Sequence, residues 1–483
     1  MNACVLWFRQ DLRLHDNPAL NAAIATGKPV VPAYIWAPEE EGHWQPGAAS
    51  RWWLHHALKS LDESLTKLGA PLIIRLGSSL ETLMELVKET DADTVIWNDR
   101  YEPLALQRDS KLREQLQRVG VKVATFNSTL LFEPDQIVSK SGGPYKVFTA
   151  FWNRCSEESV ACPLPTPREL EGLPKQPNSI DLTELKLLPT IKWDSGIKLH
   201  WAPGEAQSLQ RLEDFLDESI HNYNDGRNLP AEDDTSRFSP YLHFGELSVR
   251  QAWHAIKDRL QKKRGTPGFD PSSARVFMRE LGWREFAYHI LINFPHTTDM
   301  SMHAAFDRLP LPVDHDILHA WQKGQTGYPI VDAGMRELWH TGWMHNRMRM
   351  IAASFLTKHL LQPWQAGAEW FWDTLVDADL ANNSMGWQWV AGSGVDAAPF
   401  FRIFNPVLQG EKFDPRGEYV RRWVPELNGL PDRVIHTPWK ATSEQRQQAG
   451  LAAGDYPFPI VDHAMARHRA LEAFALIRGN RSP

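Results

Sequence analysis

ACVLWFRQDLRLHDN (residues 3–17) opens the chain and sets its architecture. Residues 3–8 are apolar, β-branched or aromatic, the composition of a buried strand, and charged residues follow at once. The same texture recurs at Val30–Trp36 (VVPAYIW), 72–76, 94–97 and 121–126. Longer amphipathic stretches separate these runs, at 50–68, 80–89 and Pro103–Arg118. Strands alternating with helices predict a parallel, doubly wound sheet. No G-x-G-x-x-G follows the first run, so a Rossmann-type dinucleotide site is not expected there.

The texture then changes. Prolines 163, 165, 167, 174, 177 and 189 cluster in a segment without a sustained period, read as a long connector over residues 134–203. Within it, KSGGPYKVFTAFW (140–152) reads as a loop followed by a short helix. From about residue 204 helical periodicity takes over, at 205–223, Val249–Lys262, Ser272–Asn293, 330–341, 345–359 and 369–375. The expected organisation is an α/β N-terminal domain (1–133), the connector (134–203) and an all-α domain (204–478).

At 483 residues the chain is long enough for two or more cored domains, and 42% hydrophobic with 23% charged residues is ordinary for a globular protein. No apolar run approaches about 18 residues, and the first apolar stretch is too short and too soon charged for a signal or transit peptide. Cys4, Cys155 and Cys162 have neither metal-ligand spacing nor a disulfide framework. A cytoplasmic monomer is expected. A net charge of −7 argues against nucleic acid as a partner only for the molecule as a whole, because DNA needs just a local basic face.

Four segments combine polar and aromatic residues in ways a plain core does not need. In Thr235-Ser236-Arg237-Phe238-Ser239-Pro240, Ser239 reads as an N-cap before proline; the segment caps a helix or offers hydroxyls and free N–H groups to a diphosphate. Further on, Phe277, Glu280, Trp283 and Arg284 fall on one helical face, either a surface Glu–Arg pair beside a tryptophan or a carboxylate placed to bond a flat heterocycle. Trp343, Asn346, Arg347 and Met350 have the spacing of another face, where Asn offers both donor and acceptor. Between residues 336 and 359 lie four Lys or Arg and one acid, a basic patch within an acidic chain. Last, Asp377-Ala378-Asp379, Asn382-Asn383 and Gly386-Trp387-Gln388-Trp389 read either as a helix end with a loop or as polar contacts to a sugar chain and a ring nitrogen. Of the 21 tryptophans, eight lie between Trp339 and Trp423.

Taken in order, these elements resemble the photolyase/cryptochrome family over nearly the whole chain. The likeness begins at Leu6-Trp7-Phe8-Arg9-Gln10-Asp11-Leu12-Arg13-Leu14-His15-Asp16-Asn17 and runs through the four segments above, Thr326–Pro329 and Phe401–Pro406. The resemblance implies FAD in the helical domain, with Tyr223, Thr235, Ser236, Arg237, Phe238 and Ser239 around its phosphates and adenine side. Phe277, Glu280, Arg284, Asn346, Asp377, Ala378, Asp379 and Asn383 would complete the cofactor site, Asn383 lying beside the flavin N5. It implies UV-damaged DNA as partner, with Glu280, Trp283, Asn346, Arg347, Met350 and Trp389 around a flipped-out cyclobutane pyrimidine dimer and Arg227, Arg402 and Lys412 at phosphates. Asn346 and Met350 stand where enzymes for the (6-4) photoproduct carry a histidine pair, which favours cyclobutane dimers. Asparagine at 383, where plant cryptochromes tend to have aspartate, favours repair. Trp387 and Trp364 match two steps of the family's tryptophan chain to the surface; the third position holds Leu311, and Trp339, Trp370 and Trp372 are the alternative exits. The α/β domain would hold an antenna, a folate (MTHF) or a deazaflavin, near His43, Trp44, Tyr101 and Glu102. The rival readings are a cryptochrome-like photoreceptor, disfavoured by the chain's ending soon after its last helix, and a light-independent module for damaged or single-stranded DNA.

Overall fold

The computed structural model describes residues 2–263, 270–309 and 311–479. Strands β1 (Cys4–Phe8), β2 (Val30–Trp36), β3 (Ile73–Leu76), β4 (Thr94–Asn98) and β5 (Lys122–Phe126) form one sheet in the order β3-β2-β1-β4-β5. All pairings are parallel, with Cys4 opposite Val30 on one side and Thr94 on the other. Helices α1 (Pro18–Ala25), α2 (Ala48–Leu68), α3 (Ser79–Thr90) and α4 (Pro103–Arg118) fill the crossovers. Every residue of β1 and β2 is buried, as parallel strands covered on both faces require. Trp7 and Trp97 meet edge to face at 5.8 Å in a core with Val5, Val31, Leu112 and Leu116.

Strand order reverses beside β1, the place where open α/β sheets usually admit a ligand. Here the protein's own side chains bridge the carboxyl ends of β1 and β4. Arg9 reaches Asp109 at 2.6 Å, and Asn98 donates to Asp11 at 2.6 Å and to Asn17 at 2.8 Å. Arg100 pairs with Glu41 at 2.6 Å and Glu102 at 3.0 Å.

Contacts group the chain into two compact units: Met1–His221 with Ser236–Pro295 and Val376–Leu380, and Asn222–Thr235 with His296–Leu375 and Ala381–Pro483. Besides the sheet, the first unit holds α5 (Ser239–His243) and α6 (Ser272–Asn293). The second holds α7 (Pro329–Thr341), α8 (Asn346–Ser354), α9 (Trp364–Thr374), most of α10 (Leu380–Ala391) and α11 (His463–Gly479).

Four expectations need correction. The 205–223 helix breaks into Glu205–Asp214, a π turn at Phe215–Ser219 and a single turn at Tyr223–Gly226. Residues 345–359 start a helix only at Asn346, because the His345 imidazole caps it by accepting from the Arg347 N–H, and they end in a π turn at Phe355–His359. Trp343 therefore precedes the helix whose face it was expected to share. The 134–203 segment contains, besides the expected short helix at Phe148–Cys155, a second one at Ser195–His200. Residues 380–391, for which a helix end with a loop was one of two readings, form a helix despite Asn382, Asn383 and Gly386, because Leu380, Ala381, Trp387 and Ala391 bury its other side. Among the described residues no helix is long and apolar enough to cross a membrane.

Candidate functional site

In the first unit, α5 begins at Ser239 with Phe238 in the cap position and no side-chain cap bond. Ser239 is therefore the first helical residue rather than the expected N-cap. The preceding turn is tight: Arg237 adopts φ 53°, the Ser236 hydroxyl accepts from the Phe238 N–H at 3.4 Å, and Arg211 donates to the Ser236 carbonyl at 2.9 Å. Phe238 and Phe277 are core residues, packed around Phe215 at 5.3 and 4.7 Å. On α6, Glu280 and Trp283 are half-buried. Trp283 lies flat on Phe148 at 3.7 Å. Arg284 is buried, donates to the Thr129 carbonyl at 2.7 Å and pairs with Glu285 at 3.6 Å, so its guanidinium is engaged by protein.

Asp377, Ala378 and Asp379 are all buried. Tyr288 donates to Asp379 at 2.5 Å, and the His243 ring approaches the same oxygen at 3.6 Å. Burial alone would raise the Asp379 pKa, but His243, the Arg284 charge and the Tyr288 bond outweigh it and hold the carboxylate below its usual range. Sequence reasoning missed His243 and Tyr288. Glu280, Arg284 and Tyr288 stand at i, i+4 and i+8 on α6, so one further step along the stripe would have found the tyrosine.

The second unit carries the other candidates. On α10, Asn382 and Gly386 are exposed, while Asn383 and Trp389 are half-buried. The Asn383 amide donates one of its two N–H groups to the Ala368 carbonyl at 3.1 Å, which sets the amide's orientation, and its oxygen remains an acceptor. A methyl group added at Gly386 would meet nothing within 4 Å. The Ser384 hydroxyl is buried without a partner.

Four of the expected cationic and aromatic positions come together here. Arg227 stacks over Tyr223 at 5.4 Å, and its charge, after burial, helps depress the Arg347 pKa. Arg347 and Lys412 both lie over Phe413, at 4.4 and 5.1 Å, and Arg347 also reaches Met350 sulfur at 3.8 Å and bonds Asn228. Asn346 and Arg402 are exposed. Among the tryptophans, Trp387 packs against Phe371 at 4.9 Å and Trp321 at 6.2 Å, in space that only glycine at 367 leaves open. Trp364 is buried and bonds Ser301 at 3.4 Å. Trp339 and Trp370 stack at 5.9 Å with planes 6° apart, and Trp339 is 58% exposed.

Comparison with known proteins gives these groups a context. Residues 4–169 match the family model described as DNA photolyase, and residues 277–476 match the FAD binding domain of DNA photolyase. A deoxyribodipyrimidine photo-lyase of Agrobacterium fabrum is 48% identical, over 98% of both chains. The chain belongs to the DNA photolyase family. A class III photolyase from Agrobacterium tumefaciens superposes with a TM-score of 0.94 at 46% identity, covering 99% of this chain and 98% of that one. Cryptochrome-1 of Arabidopsis thaliana is 42% identical over 97% of this chain and 70% of its own length.

The photolyase FAD-binding domain brings a flavin, and the residues present fit one. Outside the apolar core, α10 offers a face of small and amide side chains at Asn382, Asn383 and Gly386, and an unpartnered Ser384 hydroxyl is buried on its other side. A packed core would close such a face, whereas a flat polar ring needs it.

Proposed function

We propose that this photolyase-family chain repairs cyclobutane pyrimidine dimers in DNA under blue light, with FAD in its reduced form as the electron donor. The observation that carries the reading is Asn383: its bond to Ala368 fixes the amide's orientation and leaves the oxygen able to accept from a ring N–H of the reduced flavin. When bound, reduced FAD supplies a light-excited electron to the dimer and recovers it after the ring has opened. The protein's share is positioning and electrostatics. Tyr223, Thr235, Ser236, Arg237 and Ser239 hold the diphosphate and adenosine, and Phe238 and Phe277 form apolar support. Asp377 and Asp379 hold the polar side chain of the cofactor, and Arg284 acts through Asp379 and Thr129 rather than by direct contact.

A dimer within a duplex must leave the stack to be reached, at a site already weakly stacked. Trp283 and Trp389 pack the pyrimidine faces, Glu280 and Asn346 bond the base edges, and Glu280 steadies the negative charge that develops. Met350 fills the remaining apolar space. Arg227, Arg347, Lys412 and Arg402 engage backbone phosphates, which fix the register without reading sequence. Trp387 and Trp364 serve flavin reduction. An antenna, a folate or a deazaflavin, lies near His43 and Trp44, because the crevice at β1 and β4 is filled by Arg9, Asn98 and Asp109.

The likeness to Arabidopsis cryptochrome-1 supports a second reading, a blue-light photoreceptor. One experiment separates the two: the absorption spectrum of the purified protein, then light-dependent loss of dimers from irradiated oligothymidine. Flavin with repair is expected. Flavin without repair leaves the photoreceptor, and a protein that binds irradiated DNA but takes up no flavin is a light-independent binding module.

A further inference from the structure

Lys358 is a buried cation that the proposed chemistry does not use. It stands on the π turn Phe355–His359 with 1% of its surface exposed. Among the described residues it has no carboxylate partner. Its ammonium donates to the Arg402 carbonyl at 3.1 Å and lies 5.4 Å from the Phe400 ring. Burying an ammonium against one carbonyl and one ring is costly, so the contact is maintained for something other than stability.

The segment it grips, residues 392–405, joins α10 to the helix Pro406–Phe413 and overhangs a cavity of about 570 Å³ lined by Phe306, Gly394, Ala398, Phe400, Phe401 and Phe474 among others. On the inner side of this loop Phe400 stacks on Phe474 at 4.8 Å and packs on Phe306 at 5.9 Å, while the cavity beside them leaves the rest of that side unfilled. Its near half is tied by the His303 N–H to Ser393 and by Ala398 to Trp389, at 2.9 and 3.1 Å. The far half, which carries exposed Phe401 and Arg402, closes on itself through the Arg402 N–H to the Pro399 carbonyl at 2.9 Å and is anchored to the helix below by Lys358.

We propose that Lys358 is a positioning residue for DNA binding: by holding the Phe400–Arg402 turn through its carbonyl, it presents the Arg402 guanidinium to a DNA phosphate in a fixed place. This rests on Arg402 being a phosphate contact. The grip depends on the ammonium, since a neutral amine is a weaker donor. Burial first, then the Arg402 charge, bring the Lys358 pKa down to about 8. The other ionisable neighbour on the turn is His359, pushed to about 3 mainly by burial and so neutral at pH 7; His463 and Arg469 of α11 contact His359 in turn.

The test measures binding of FAD-loaded protein to dimer-containing oligothymidine for Lys358→Met, Arg402→Ala and the double variant. Each single change should weaken binding about ten-fold, and the double variant should be no weaker than Arg402→Ala, because both remove one phosphate contact. In Lys358→Met, repair per photon at saturating DNA should fall far less than affinity does. Wild-type affinity should also fall between pH 7 and 9, which keeps the proposal testable should Lys358→Met not fold. Wild-type binding by Lys358→Met, additive losses in the double variant, or a flat wild-type pH profile overturns the clamp. Unchanged binding by Arg402→Ala overturns the phosphate contact itself, and the clamp with it.

Discussion

The β-sheet and helix α10 obey opposite rules. In the sheet, strand propensity, apolar composition and burial agree at every residue of β1 and β2. In α10, two asparagines and a glycine interrupt a helix, at about 0.5–1 kcal/mol each relative to alanine. Both regions contain buried indole N–H groups without partners, Trp7 and Trp97 in one and Trp387 in the other. The difference is the face left over: β1 and β2 have none, whereas α10 leaves Asn382 and Gly386 exposed and Asn383 half-buried on one side, with the unpartnered Ser384 hydroxyl buried on the other. Stability is therefore concentrated in the region where local rules agree, and the proposed flavin contact in the region where they conflict.

The largest expected effect breaks the first half of that comparison. Trp97→Ala, in the sheet core, should cost about 3–5 kcal/mol in denaturant unfolding while the folded fraction keeps its flavin spectrum and repair yield. A variant that melts normally but loses repair would place chemistry in the sheet. The next concerns Glu285 of α6, whose carboxylate accepts from the Leu131 N–H at 2.9 Å and which burial pushes up to about 7. A carboxyl with a raised folded pKa keeps its proton in the folded state, so the stability it supports is present below about pH 4.5 and is lost as pH rises through about 7. That loss is on the order of 3 kcal/mol. Glu285→Gln retains an acceptor for Leu131 and should flatten the melting-temperature profile between pH 5 and 8; an unchanged profile would mean that another group titrates there. The third effect has opposite signs in two assays. Gly386→Ala should stabilise the flavin-free protein by about 1 kcal/mol, because it removes a mid-helix glycine where the added methyl meets nothing. It should nevertheless lower flavin retention or dimer repair, because the methyl occupies the open face. Improvement in both assays would show that the face receives no ligand.

How far the chain could be read from its residues follows the same division. The strand runs at 72–76 and 121–126 differ from β3 and β5 by one residue, and Ser272–Asn293 agrees at both ends, because local composition and final packing point the same way. Helix α10 was missed as a helix because its polar residues have poor propensity, and only burial of the opposite side overrides them. The tie between Asp379 and His243 joins residues distant in the chain, so no spacing encodes it. Tyr288 was within reach of helical arithmetic on α6. The Lys358 contact was not, because it depends on a π turn that shifts the helical phase.

The smallest expected effect sharpens the comparison within the second unit, between a buried tryptophan and an exposed one. If Trp387 feeds the flavin as proposed, it needs an electron path to solvent, and the resemblance puts Leu311 where a third tryptophan would stand. Trp387 is buried against Phe371, and Trp370, the residue before Phe371 on α9, stacks on the exposed Trp339. Stacked rings about 6 Å apart pass an electron readily, and an exposed indole can release its proton to water and so hold the oxidised site. If this pair is the exit, Trp339→Phe and Trp370→Phe should each shorten the tryptophan radical seen by flash spectroscopy and slow photoreduction several-fold. Repair by enzyme already reduced chemically should be untouched, because dimer splitting does not draw on this path. Normal radical lifetimes in both variants would exclude the pair, leaving Trp372 as the remaining aromatic on α9 to examine.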